Sequence, residues 1–312
     1  MIDALSKAFF HTLARSQNLK RLASRYGMRR PDSFARRFIA GETIEEAIAT
    51  ARTLEGQGLT VTLDHLGESV GTIAEADAAT RAYLAIMDRV AASGITRNIS
   101  LKLTQLGLTI DRATSVDNLR RILDAGAARE FFVRIDMENS PYTDVTLDVF
   151  ETMWQQGYRN AGTVLQSYLR RSEADAARLN RLGARIRLVK GAYNEPREVA
   201  YQSKAEVDAA FVRLMQVLLT EGISPAIATH DPAMIEATRA FARERGISSD
   251  RYEFQMLYGI RRDLQASLLA GGYRVRVYVP FGREWFPYFM RRLGERPANV
   301  GFVIRSLLSE RG

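Results

Sequence analysis

Arg291 and Arg292 stand side by side in WFPYFMRRLGERP, behind a run of aromatic and apolar residues near the end of the chain. On a helix, Tyr288, Arg291, Arg292 and Glu295 follow the spacing i, i+3, i+4, i+7 and share one side. Two guanidinium forks so placed match the oxygens of a carboxylate better than two lysines would, and Glu295 can hold both in position. The same spacing also describes an ordinary surface helix with an Arg–Glu pair, and such pairs are individually weak. The company these residues keep raises the chemical reading. Polar side chains recur at or near the ends of apolar, strand-like segments. Lys102 ends the second, Asp136 ends the third, and Gln166 lies in the fourth. Arg187 and Lys190 lie in the fifth, and Thr229, His230 and Asp231 follow the sixth. Glu253 and Gln255 lie in the seventh, and Tyr278 ends the eighth. Taken singly, each reads as a solvated rim residue. Gathered at one end of a sheet they form a convergent polar ring, and its cations suit an anionic ligand.

The elements that must carry this ring alternate regularly from residue 43 onward. TIEEAIATARTLEGQG places Ile44, Ala47, Ile48, Ala51 and Leu54 on one helical face and ends in glycine. LTVTLDHL follows as a buried strand. The same helix-then-strand order repeats up to RVRVYV, giving eight short segments rich in β-branched residues, as parallel strands covered on both faces require. Eight such units in about 240 residues match a (β/α)8 TIM-type barrel, in which chemistry sits at the C-terminal ends of the strands. The main rival is a doubly wound open sheet. It calls for a glycine-rich phosphate turn after the first strand, and GESVGT is a poor match. Residues 3–23 and 32–39 read as short helices. The chain therefore divides into an N-terminal helical segment, 1–42, packing on a catalytic barrel, 43–312.

Composition excludes several chemistries. The 312 residues contain no cysteine, so no disulfide, thiol nucleophile or thiolate metal site exists. Three scattered histidines and no HExxH argue against metal catalysis, and no G-x-S-x-G elbow is present. A two-carboxylate glycosidase pair among Asp64, Glu68, Asp136 and Glu138 has no positive support, and the cations argue against it. The net charge of +8 fits anionic ligands, an acidic membrane surface or nucleic acid. The arginines are scattered and no nucleic-acid motif accompanies them, so nucleic acid is the least favoured partner. No targeting segment is evident, and no apolar run approaches the roughly 20 residues of a membrane span.

SLKLTQLGL, VRIDMENS, IRLVKGAYNEP, IATHD, YEFQMLYGIR and VRVYVPFGREWFPYFMRRLGERPAN occur in this order. Together they resemble the bacterial monofunctional proline dehydrogenase family, from about residue 36 to residue 300. The resemblance implies a distorted (β/α)8 barrel that holds FAD, with the last barrel helix over its mouth. It implies oxidation of L-proline to Δ1-pyrroline-5-carboxylate, hydride passing from proline C5 to flavin N5, and electrons passed on to a membrane quinone. By the same resemblance, Arg291, Arg292 and Lys102 bind the proline carboxylate, and Glu295 orients the arginine pair. Tyr278, Tyr288 and Leu257 wall in the pyrrolidine ring. Asp136 supports the site through a hydrogen bond to Tyr278, and Arg187 lies on the N5 side of the flavin. Gln166, the backbone around Met137, Lys190, Gly191, Ala192, Thr229 and His230 hold the cofactor. Tyr288 favours proline over hydroxyproline. No residue is singled out as the base that takes the amine proton. The chain is too short to include the aldehyde dehydrogenase module of the bifunctional relatives, so such an enzyme is expected as a separate, transient partner. The expected location is cytoplasmic, with peripheral contact at the cell membrane. The alternative is another barrel enzyme that takes a small carboxylate or phosphate at a cationic mouth.

Overall fold

A computed structural model describes Met28, residues 33–67 and residues 69–295, with side chains in the last helix described as far as Arg292. The expected helix over 3–23 lies outside these residues. Eight parallel strands close a barrel in sequence order: β1 (Thr60–His65), β2 (Asn98–Leu101), β3 (Phe132–Ile135), β4 (Ala161–Gln166), β5 (Arg185–Val189), β6 (Ala226–Ala228), β7 (Glu253–Leu257) and β8 (Val275–Phe281). β8 returns to β1 in parallel, with Thr62 opposite Tyr278. The helices are α1 (Ile44–Glu55), α2 (Ile73–Ser93), α3 (Arg112–Ala128), α4 (Thr143–Gln155), α5 (Ser172–Leu182), α6 (Lys204–Glu221), α7 (Pro232–Glu244), α8 (Arg262–Ala270) and α9 (Trp285–Glu295).

Local sequence explains where helices begin. Thr43 with Glu46, Thr72 with Glu75 and Ser203 with Glu206 form reciprocal capping boxes on α1, α2 and α6, satisfying backbone N–H groups that have no partner inside the helix. α1 buries Ala47, Ile48, Ala51 and Leu54, the face read from the sequence. The outward residues of the strands, such as Val61, Leu63, Ile99, Leu101, Val133 and Ile135, join the helices in one apolar cluster.

The lumen differs from the branched aliphatic filling usual in this fold. Thr62, Ser100, Arg134, Arg187 and Gln255 are all buried. Arg187 on β5 donates to Ser100 on β2, a strand that is not its neighbour, so this bond crosses the interior. A polar lumen is stable only if its groups satisfy one another, because each unpaired one costs desolvation energy.

Two sequence expectations need correction. The short helix expected over 32–39 is only a four-residue 3-10 helix, Phe34–Arg37. The chain leaves it to pair with the end of the barrel, Ala40 N–H donating to Pro280 O and Gly282 N–H to Gly41 O, both at 2.9 Å. Tyr278 does not end the eighth strand, because pairing of β8 with β1 continues through Phe281. A second apolar cluster joins Met28, Ala35, Phe38, Ile39 and Leu66 to Trp285, Phe286, Tyr288, Phe289 and Met290. The segment before the barrel thus anchors α9.

Candidate active site

The C-terminal ends of the strands enclose a cavity of about 620 Å³. Its floor is a charge-alternating network. Arg187 donates through Nη1 to Asp136 Oδ1 at 2.7 Å, through Nε to Gln255 at 2.6 Å and through Nη2 to Ser100 at 3.1 Å. Tyr278 Oη donates to the other oxygen of Asp136 at 2.8 Å, the bond anticipated from the sequence. Burial holds the Tyr278 phenol well above its ordinary range, and the negative charge of Asp136 adds to this, so the phenol stays a donor. Lys102, one residue beyond β2, places Nζ 3.5 Å from Asp64 and 3.9 Å from Asp136. Its charge is therefore shared between two carboxylates, and the floor is charge-balanced rather than cationic. Asp64 is 1% exposed and faces Lys102. Burial raises its pKa. The nearby Lys102 opposes the rise and Asp136 adds to it.

α9 forms part of the cavity wall at the mouth. Tyr288, Arg291 and Arg292 all line it, as the helical spacing required, and the Arg292 guanidinium lies 5.1 Å from the centre of the Tyr288 ring. Glu295 ends this helix, and its side chain lies outside the described residues. Trp285 fixes the start of α9, fully buried and donating through Nε1 to Glu42 at 3.0 Å.

The remaining wall comes from loops after β3 to β7. Leu257, Met137, Gln166, Lys190, Gly191, Ala192, Thr229 and His230 line the same cavity. Lys190 is more engaged than the sequence suggested. It pairs with Asp208 of α6 and, at 2.7 Å, with Asp231. Burial alone would raise the Asp231 carboxyl, but bonds from Lys190 and the Ala233 N–H, with the charges of Lys190 and Lys204, bring it down to about 2. His230 Nε2 accepts the Leu257 N–H at 2.9 Å, which stitches the end of β7 to the loop after β6. Gly191 has φ +116, and a Cβ there would meet the Tyr168 ring at 2.5 Å.

Gln166 provides a test for the implied flavin. Its Nε2 donates to the carbonyls of Met137 and Glu138, both at 3.3 Å, while Oε1 is buried without a partner. An unused acceptor on the cavity wall fits the ring N–H of an isoalloxazine. The cavity volume lies in the range that takes ligands of that size.

One member of the sequence-derived ring is misplaced. Glu253 opens β7 at the N-terminal end of the barrel, where it pairs with Arg276 at 2.9 Å. The strand reads inward at both Glu253 and Gln255, so only Gln255 reaches the floor. Gln255, placed in the polar ring by the sequence, and Asp64, weighed there only as a glycosidase acid, are both structural members of the floor. Ser100 is the member that the sequence reading missed, a small hydroxyl with no signal to mark it. Glu138, weighed as a glycosidase acid, instead accepts the Thr104 hydroxyl at 2.7 Å, and Glu68 lies outside the described residues. Among the described residues no cluster could hold a metal ion.

Comparison with known proteins agrees with this architecture. The family model for proline dehydrogenase matches residues 47–305. Proline dehydrogenase 2 of Bacillus subtilis is 40% identical, over 97% of this chain and 99% of its own. Proline dehydrogenase of Deinococcus radiodurans is 41% identical over 99% of both chains. Among solved structures, proline utilization A from Bdellovibrio bacteriovorus, inactivated by N-propargylglycine, superposes with a TM-score of 0.79 at 30% identity. The match covers 83% of this chain and 32% of that longer one. The chain belongs to the proline dehydrogenase family.

Proposed function

We propose that the enzyme oxidises L-proline to Δ1-pyrroline-5-carboxylate with FAD as resident cofactor and a membrane quinone as the final acceptor. The observation that carries this reading is that one cavity joins the arginine pair of α9 to the Arg187–Asp136–Tyr278 floor. When bound, FAD supplies the acceptor for the hydride that leaves proline C5. Gln166, Lys190, Gly191, Ala192, Thr229, His230 and the backbone at Met137 would hold it. Arg291 and Arg292 take the substrate carboxylate in two forks, with Lys102 contributing from below. Clamping that end fixes the orientation of the ring, which Tyr278, Tyr288 and Leu257 enclose. Arg187 cannot swing, because three side chains hold it. Its cation is therefore preorganised beside the reacting centre, where developing negative charge needs it. Among the described residues no helix is long and apolar enough to cross a membrane. The reading places quinone contact at the membrane surface, and the product passes to a separate aldehyde dehydrogenase.

Anaerobic addition of L-proline to purified protein is expected to bleach a flavin absorbance band. A protein that neither binds FAD nor bleaches would refute the reading. Arg292→Lys keeps the charge and loses the fork. It is expected to lower kcat/KM for proline by about a hundredfold, roughly 3 kcal/mol, mostly through KM.

A further inference from the structure

A second basin, of about 550 Å³, opens at the opposite, N-terminal end of the barrel. Five arginines face it, Arg97, Arg134, Arg185, Arg274 and Arg276, against two carboxylates, Glu130 and Glu253. Both carboxylates are already engaged. Glu253 takes Arg276 at 2.9 and 3.1 Å, and Glu130 takes Arg97 at 2.9 Å. Arg134, Arg185 and Arg274 have no carboxylate partner among the described residues.

Arg134 is the decisive member. It is 4% exposed, its Nε has no partner, and only Nη1 is used, donating to the backbone carbonyls of Thr163 at 2.9 Å and Arg185 at 2.5 Å. Arg134 and Arg185 both lie over the ring of Phe132, at 4.8 and 5.3 Å. Two guanidinium groups on one ring repel each other, and burying a cation without a counter-charge is expensive. A structural role alone would be met by an apolar side chain at position 134. Arginines gathered around an open basin, with donors unused, instead match a multivalent oxyanion.

We propose that this basin binds a phosphate-class anion, with Arg134 at its base and Arg185 and Arg274 at its rim. The group is a phosphomonoester, inorganic phosphate or the headgroup of an acidic phospholipid. It adds to the negative charge that Glu253, already engaged with Arg276, supplies only in part for five arginines, and Asn98 and Ser224 on the wall offer neutral hydrogen bonds. The proposal does not depend on the chemistry assigned to the other mouth.

Titration calorimetry of the full flavin-loaded chain with inorganic phosphate, at fixed ionic strength, tests it. Saturable binding is expected in the low-millimolar range or tighter, with a matching rise in Tm. Arg185 and Arg274 are exposed, so Arg185→Gln/Arg274→Gln is expected to fold. This variant is expected to bind phosphate at least about tenfold more weakly while oxidising proline at the parent rate. Equal phosphate affinity in the two proteins, or heats no larger than with chloride, overturns the proposal. Vesicles of phosphatidylglycerol or phosphatidylcholine separate the sources. Sedimentation with the acidic vesicles alone, lost in the double variant, assigns the lipid headgroup. Phosphate binding without vesicle binding assigns a soluble phosphate.

Discussion

The two mouths of this barrel are built from similar residues and differ in how their charges are compensated. At the C-terminal mouth, cations and carboxylates alternate through direct contacts, Lys102 beside Asp64 and Asp136, and Arg187 on Asp136. Each group is held in one orientation by a neighbour of opposite sign, and a helix forms part of the wall. At the N-terminal mouth, Glu253 compensates Arg276 and Glu130 compensates Arg97, while Arg134, Arg185 and Arg274 have no such neighbour among the described residues. A reaction centre needs fixed charges that cost no reorganisation during the chemical step. A site that only binds an ion needs its charge left over. The contrast therefore separates a place where bonds change from a place where an ion docks, inside one continuous polar lumen.

The largest test of this separation removes one charge from each end, buried at Arg187 and partly buried at Glu253. Arg187→Met leaves Asp136 without its cation and strips a partner from Ser100 and Gln255. Breaking a buried pair in this way costs about 3–5 kcal/mol. Stability, flavin content and proline oxidation are expected to fall together. Glu253→Gln orphans Arg276 and carries a stability cost of the same order. Its lesion lies at the far end of the lumen, so kcat/KM for proline per folded, flavin-loaded molecule is expected to stay at the parent value. A loss of kcat/KM in Glu253→Gln beyond the loss of folded protein would mean that the two ends are coupled.

A smaller effect is expected from backbone shape. Gly191 follows β5 at the C-terminal mouth with φ +116, and an added Cβ would collide with the Tyr168 ring. Gly191→Ala is expected to strain this loop by about 1–3 kcal/mol and to lower the ratio of flavin to protein absorbance. Gly246 after α7 has φ +64 but open space around it. Gly246→Ala meets only the positive-φ penalty, about 1 kcal/mol, and is expected to leave flavin content unchanged.

The sequence reveals the C-terminal mouth far better than the other. Strand and helix periods differ, so the eightfold alternation is visible. Once the barrel is accepted, Lys102, Asp136, Gln166 and Arg187 fall on the functional end by position alone. Tyr288, Arg291 and Arg292 are legible because helix spacing is local. Glu253 was assigned to the wrong end because it shares the inward face with Gln255, two residues away. Strand composition alone does not say how far along the lumen a side chain sits. The partners of Lys190 were invisible for a different reason. Asp208 and Asp231 lie 18 and 41 residues away and meet only in the fold. The N-terminal basin draws its arginines from the beginnings of β2, β3, β5 and β8, with no shared motif.

The smallest effect concerns Asp231, which joins the C-terminal mouth to α7. Its carboxyl is depressed from an ordinary 3.8 to about 2, so the folded state favours the ionised form. The resulting stability is fully present above pH 3.8 and is lost as pH falls through about 2. Asp231 also caps α7 by accepting the Ala233 N–H at 3.0 Å. Asn caps equally well, so Asp231→Asn removes the charge and keeps the cap. The variant is expected to lose about 1–2 kcal/mol at neutral pH, given a shift of this size. Tm curves of the two proteins are expected to converge as pH drops from 4 toward 2, because the parent loses there what the variant never had. Parallel curves across that range would show that Asp231 acts through the cap and not through Lys190. The lock on this wall of the cavity would then be a matter of shape alone, unlike the charge-held floor beneath it.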